Sequence, residues 1–402
     1  MLQARGVIQT IVDQHAEEAA FLWLLRDEAV DAPHYDSEDL ARLDERVEAH
    51  LDGLRVAGPA GFALAKRNFE SQRERGEAFA ACALALEGRD LTVIGELLDL
   101  AYLDAETRRG AVGALAWLDP AKLNGLVQPM LSSQRCYYGL AACSVHRVDP
   151  GRQLVDVFDH DDALVRARAY RLAGEVGRAD LLASLEHRAA TGETDRDALL
   201  FLHQSAVLLG DRGDHLEALG AAVSAGDWRG LRALIPALGH AGAKRWISAC
   251  SDERMRIVAT GLLGDPEVVP WLIKQMADDD LARLAGEAFA LITGVDLAYD
   301  DLDRDQPEGF AAGPTEDPND EKVAMDEDED LPWPDPELIG QWWQAHGSRF
   351  HAGKRHLLGH ALDPTVCRTA LRQGFQRQKL GAANMLAALE PASGLANWRR
   401  RA

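Results

Sequence analysis

The chain reads as an all-α solenoid of stacked helix pairs, with an N-terminal helical cap and a C-terminal helical unit. The first sign is a repeat. From Thr107 to about Asp301 a small-residue helix, a Gly or Asp-Pro break and a second apolar helix recur at roughly thirty-residue spacing. The second is composition: 47 % of residues are apolar but only 6 % aromatic, and Ala and Leu dominate, which favours packed helices over β-structure. The third is length, because 402 residues suffice for two or three domains or one elongated array.

Residues 1–104 read as the cap, which shields the apolar face of the first repeat. Val7, Ile8, Ile11, Val12, Ala19, Leu22 and Leu25 mark one amphipathic helix. After the breaker Asp31 to Tyr35, Ser37 is the expected N-cap of a second helix carrying Leu40, Leu43, Val47, Leu51 and Leu54. Gly58-Pro59 ends it, and helices over about 62–72 and 74–86 follow. Residues 105–299 form the repeat array. Its breaks fall at Asp119-Pro120, Asp149-Pro150, Gly177, Gly210 to Gly213, Gly239 to Gly242, Gly264 to Pro266 and Gly294, where the chain must leave the right-handed helical region. Small residues such as Ala111, Gly113, Ala169 and Ala173 allow close approach in the first helix of a pair, and Leu126, Leu154, Leu185 and Leu272 fill the second.

Residues 300–330 are rich in acid and proline and predict a linker or disordered loop. Residues 331–402 form the C-terminal unit, with a short helix over 337–346 and a longer one over about 365–389.

The clearest copy, RMRIVATGLLGDPEVVPWLIKQMADDD from Arg254, followed by LARLAGEAFALITG, resembles HEAT-type repeats of the short variety, also found in phycobilin lyase families. The wider layout resembles an uncharacterised bacterial family of HEAT-repeat proteins. It consists of an ITGVDL ending, the LPWPDPE…WW segment, RF…G.R.LLG and RQGFQRQKLGAAN. Genes of that family tend to lie beside spike and effector genes of type VI secretion systems. The resemblance therefore implies an adaptor or chaperone for an effector or spike component, and it carries over no catalytic residue. An immunity protein that blocks a toxin is a second expectation, and a HEAT-repeat enzyme such as a lyase a third.

Charge narrows the partner. The formal net charge is −22, and 17 acids against two bases between residues 296 and 337 supply −15 of it. A nucleic-acid binder needs a basic stripe to displace counterions, and an anionic membrane attracts basic segments, so neither partner is expected. The expected partner is another protein, met through Trp333, Trp342, Trp343, Asp326, Asp328 and Asp330, because tryptophans dominate hot spots and acids steer a basic surface. The same tryptophans also read, and more simply, as pins that fix the C-terminal helices to the array.

Residues 1–30 carry acids inside their apolar stretch, which argues against a signal peptide. The five scattered cysteines suit a reducing cytoplasm. Candidates for chemistry are weak. His356 and His360 would share a face if Lys354 to His360 were helical, Cys143 and His146 stand three apart, and Gly239 to Lys244 faintly resembles a phosphate loop. No catalytic, cofactor or metal residue is assigned.

Overall fold

Aspartates start nine of the α-helices. In the computed structural model, which describes residues 8–313 and 324–401, Asp36, Asp90, Asp104, Asp162, Asp195, Asp252, Asp278, Asp335 and Asp363 each accept from first-turn N–H groups of the helix that follows. Each cap satisfies an orphan donor and sets negative charge against the positive helix end, worth about 1 kcal/mol apiece. Part of the chain's acidity is therefore helix punctuation. Asp36 takes the cap expected at Ser37, in a reciprocal box with Asp39.

The described residues form 21 α-helices and one two-residue-per-strand hairpin, and the repeated helix pairs make the chain an all-α helical-repeat protein. Contacts divide it into two units. Unit 1 holds residues 1–31, 35–209 and 392–402, and unit 2 holds residues 32–34 and 210–391, so the repeats read over 105–299 contribute to both.

Unit 1 comprises α1 (Gln9–Ala29), α2 (Ser37–Ala57), α3 (Pro59–Gln72), α4 (Arg75–Gly88), α5 (Leu91–Tyr102) and α6 (Ala105–Trp117). It continues with α7 (Val127–Leu131), α8 (Cys136–His146), α9 (Gln153–Asp156), α10 (Ala163–Glu175), α11 (Leu182–Thr191) and α12 (Arg196–Leu208). Small residues let α4 and α6 approach closely: a Cβ on Gly110 would stand 2.1 Å from the Arg75 carbonyl oxygen. Trp23 stacks on Phe79 at 4.6 Å, and Trp117 meets the same ring edge-on at 5.4 Å. A second cluster centres on Leu154, Phe158, Tyr170 and Leu185. The segment Ala392–Arg401 rejoins this unit through Ala392 N–H to Leu208 O and Leu395 N–H to Glu175 O.

Glu193 fixes the loop between α11 and α12. Its buried carboxylate takes two bonds from Arg166 (2.7 and 2.8 Å), one from Tyr170 Oη and two from the backbone. The Arg166 bonds outweigh burial and hold its pKa down at about 2. A depressed carboxylate pKa contributes stability that is complete above its unfolded value and lost as pH falls toward the folded one. Unit 1 is thus expected to lose about 2 kcal/mol, after allowance for solvent screening, between pH 5 and about pH 2. Urea midpoints of wild type and Glu193→Gln across that range measure the loss. Parallel pH profiles for the two proteins would refute it.

Unit 2 comprises α13 (Asp214–Ser224), α14 (Leu231–Ala237), α15 (Gly239–Ala249), α16 (Glu253–Leu263), α17 (Val269–Gln275), α18 (Asp279–Thr293), α19 (Pro336–His346), the hairpin β1 (His356–Leu357) and β2 (His360–Ala361), α20 (Pro364–Gln373) and α21 (Gln376–Leu389). Its core gathers Ile257, Leu272, Met276, Phe289, Ile292 and Ile339. The hairpin closes helix ends: His356 N–H donates to Gly264 O at 2.7 Å, and Leu358 and Gly359 donate to Leu291 and Ile292. His356 and His360 are therefore on paired strands, not on one helical face.

The single helix expected over 365–389 is two. Gly374 and Phe375 are extended, and a Cβ on Gly374 would lie 2.8 Å from Ala370 O. No described helix is long and apolar enough to cross a membrane.

Candidate functional site

Unit 2 contains all six residues singled out for partner binding. The described ends of the acidic segment are folded onto its helices. Leu302 is buried, Asp303 bridges to Pro334, and Arg304 N–H donates to Trp333 O. Residues 314–323, the middle of the expected linker, lie outside the described residues.

Asp328 is 3 % exposed and receives both Arg254 terminal nitrogens at 2.8 and 2.9 Å. Arg283 bonds the Asp328 carbonyl and the Asp326 carboxylate and lies 4.6 Å above the buried Trp333 ring. Trp342 meets Phe289 edge-on at 5.7 Å, and Trp343 packs on the same core beside Phe350. Five of the six thus make packing or ion-pair contacts within unit 2, with Trp342 and Trp343 half-buried. Asp330 keeps an exposed carboxylate.

Beside Asp330 lies a mainly apolar cavity of about 440 Å³, lined by Leu284, Leu291, Leu297, Leu331 and Phe375. Asp296, Ala298, Glu329 and Asp330 are exposed residues on its lining, where carboxylates outnumber arginines four to two. The volume suits one large apolar side chain with room around it.

Unit 1 holds a larger cavity of about 920 Å³ with the opposite charge: nine arginines and four carboxylates line it. One wall is neutralised. Arg109 and Arg399 reach Asp27, Arg399 also bonds Asp31, and Arg26 bonds Asp44. Arg401 pairs with Glu48 and lies 4.3 Å over the Trp117 ring. The same cavity is lined by Arg108 on α6, Arg147 just beyond α8 and Arg168 and Arg171 on α10, together with Tyr137. Arg168 donates to Tyr137 Oη at 3.3 Å and lies over its ring, and Arg108 donates to Tyr102 O over the Tyr102 ring.

Glu175, 2 % exposed, is the carboxylate that meets this group, through Arg171 at 2.9 Å, Arg147 at 3.3 Å and the Ser144 hydroxyl. Burial opposes its charge, but the arginines hold its pKa below the usual carboxylate value. The same field acts on Tyr137. Burial alone would raise the phenol, yet Arg168, Arg108 and Arg171 pull it below its ordinary value.

The segment Ala392–Arg401 runs along this cavity. Arg147 donates to Leu395 O, Asn397 to Val145 O, and the buried Trp398 indole N–H meets no protein acceptor. Sequence reasoning missed this cavity because its arginines come from α1, α6, α8, α10 and the 399–401 run. Only that last cluster is visible as a string.

The weak chemical candidates are held in structural roles. Burial raises the Cys143 thiol to about 11, and His146 Nε2 donates to Leu115 O. Gly239 to Lys244 is the start of α15, where His240 and Lys244 bond the buried Asp265 carboxylate. Among the described residues, no group of three or more His, Cys, Asp and Glu side chains could hold a metal ion. No family model, curated relative or solved structure matches the chain.

Proposed function

We propose that the protein is a binding scaffold of the adaptor or chaperone kind, with no chemistry of its own, and that unit 2 receives the partner. The observation that carries this reading is the apolar cavity lined by exposed Asp296, Glu329 and Asp330. It suits a partner that offers an apolar anchor among basic residues, with the anchor supplying affinity and the charges supplying orientation and rate. Burial of Leu302, Asp328 and Trp333 holds the described ends of the acidic segment in place, so less ordering entropy is lost on binding. The resemblance to proteins encoded beside type VI secretion genes makes an effector or spike component the partner of choice.

Ala298 is exposed on the cavity lining, so Ala298→Trp fills the cavity without entering the core. Co-purification of such a component is expected to fall at least about tenfold with Ala298→Trp, and less with Asp330→Lys, whose effect should shrink at high salt. Equal recovery with both variants, at unchanged melting temperature, would remove the cavity from the interface. Stoichiometric inhibition of a captured toxin would replace the adaptor role by immunity.

A further inference from the structure

The cavity in unit 1 is unrelated to that reading and carries its own conclusion. We propose that it binds a small polyanion bearing phosphate groups, through Arg108, Arg147, Arg168 and Arg171.

Charge is the first ground. Arg147, Arg168 and Arg171 act on the single carboxylate of Glu175 while Arg108 bonds a carbonyl, so the four guanidinium groups leave three positive charges in a concave site. The other acids that line the cavity are already engaged, Asp27 and Asp31 with arginines and Asp119 as a cap on the Ala121 N–H. A lone carboxylate would balance one of the three charges, whereas a phosphate carries close to two and a diphosphate more. Planar guanidinium forks match phosphate oxygens in pairs.

The neutral partners of two arginines are the second ground. Arg108 and Arg168 donate to a carbonyl and a phenol, neither of them charged. An arginine left beside a neutral group inside a protein retains most of its attraction for an anion. The lowered phenol of Tyr137 reports the same field from a group that is part of the wall.

Size and surroundings choose the ligand. A cavity of about 920 Å³ is at the upper end for small-molecule sites, enough for a phosphate ester with an organic part against the Tyr137 and Trp398 rings. A nucleic-acid strand is disfavoured, because beyond the cavity it would meet a chain whose formal charge is −22.

The test is calorimetric titration of the full chain with pyrophosphate and with ATP in about 50 mM salt, where screening is modest. Saturable binding of either is expected, weakened about tenfold or more by Arg108→Gln and by Arg168→Gln. Arg42→Gln, on the exposed face of α2, should change nothing. Tighter binding of ATP than of pyrophosphate would support a ligand whose organic part is held. The proposal falls if neither ligand binds at about 1 mM. It also falls if the groove variants titrate like wild type, or if a short oligonucleotide or an acidic peptide binds more tightly than both ligands. Because Ala298 lies in unit 2, loss of partner capture in Ala298→Trp with unchanged titration separates failure of one site from failure of the other.

Discussion

Glu175→Ala is expected to destabilise unit 1 by about 3–5 kcal/mol, because it leaves buried positive charge without its counter-ion. The carboxylate is 2 % exposed and ties two helices, with Ser144 and Arg147 on and just beyond α8 and Arg171 on α10, while the Glu175 backbone carbonyl accepts from Leu395 in the C-terminal segment. Removing it leaves Arg147 and Arg171 facing each other and Arg168 across a void. Glu175→Gln keeps a hydrogen-bond acceptor for Ser144 and loses only the charge, so a smaller cost, about 2 kcal/mol, is expected. Hydrogen exchange discriminates the origin of the effect. Amides of α8, α10 and α12 should lose protection while those of α16 and α18 keep theirs. A cost below about 1 kcal/mol for the alanine variant would mean that the arginines are neutralised by solvent, not by Glu175.

The helices were legible because their determinants are local. Gly58-Pro59 and Gly264 lie at helix boundaries as expected, with Gly58 and Gly264 in positive φ, and α19 follows its aspartate cap and Pro336. Breaks that depend on distant atoms were not. Gly374 interrupts the 365–389 helix in an ordinary extended conformation, and the 356–361 hairpin forms because carbonyls of α16 and α18 wait for its N–H groups. The candidate sites divide in the same way. Trp333, Trp342 and Trp343 were visible as a cluster, but their packing on Arg283, Phe289 and Phe350 depends on residues far away in the sequence. The arginine cavity was hidden by arithmetic: a net charge of −22 averages over a surface whose acids cap helices and whose bases converge from far-apart positions. Global charge argues against a long polyanion but says nothing of a pocket about one Debye length across.

Asp328→Ala is expected to cost unit 2 about 2–4 kcal/mol, whereas Asp330→Ala, two residues on, should cost less than about 0.5 kcal/mol. The contrast follows from geometry. Asp328 accepts a two-pronged bond from Arg254 on a carboxylate that is itself buried, and its own carbonyl holds Arg283 against Trp333. Its loss strands one guanidinium and loosens a second. Asp330 has an exposed side chain whose contribution water screens. If the acidic segment were a free arm held ready for a partner, both substitutions would be neutral. Limited proteolysis provides the readout: Asp328→Ala should open cleavage between residues 324 and 331, and Asp330→Ala should not. The same variant bears on function, since a loosened segment no longer presents Glu329 and Asp330 at the cavity. Partner capture should then weaken through the entropy of ordering that segment, even though the lining residues are unchanged.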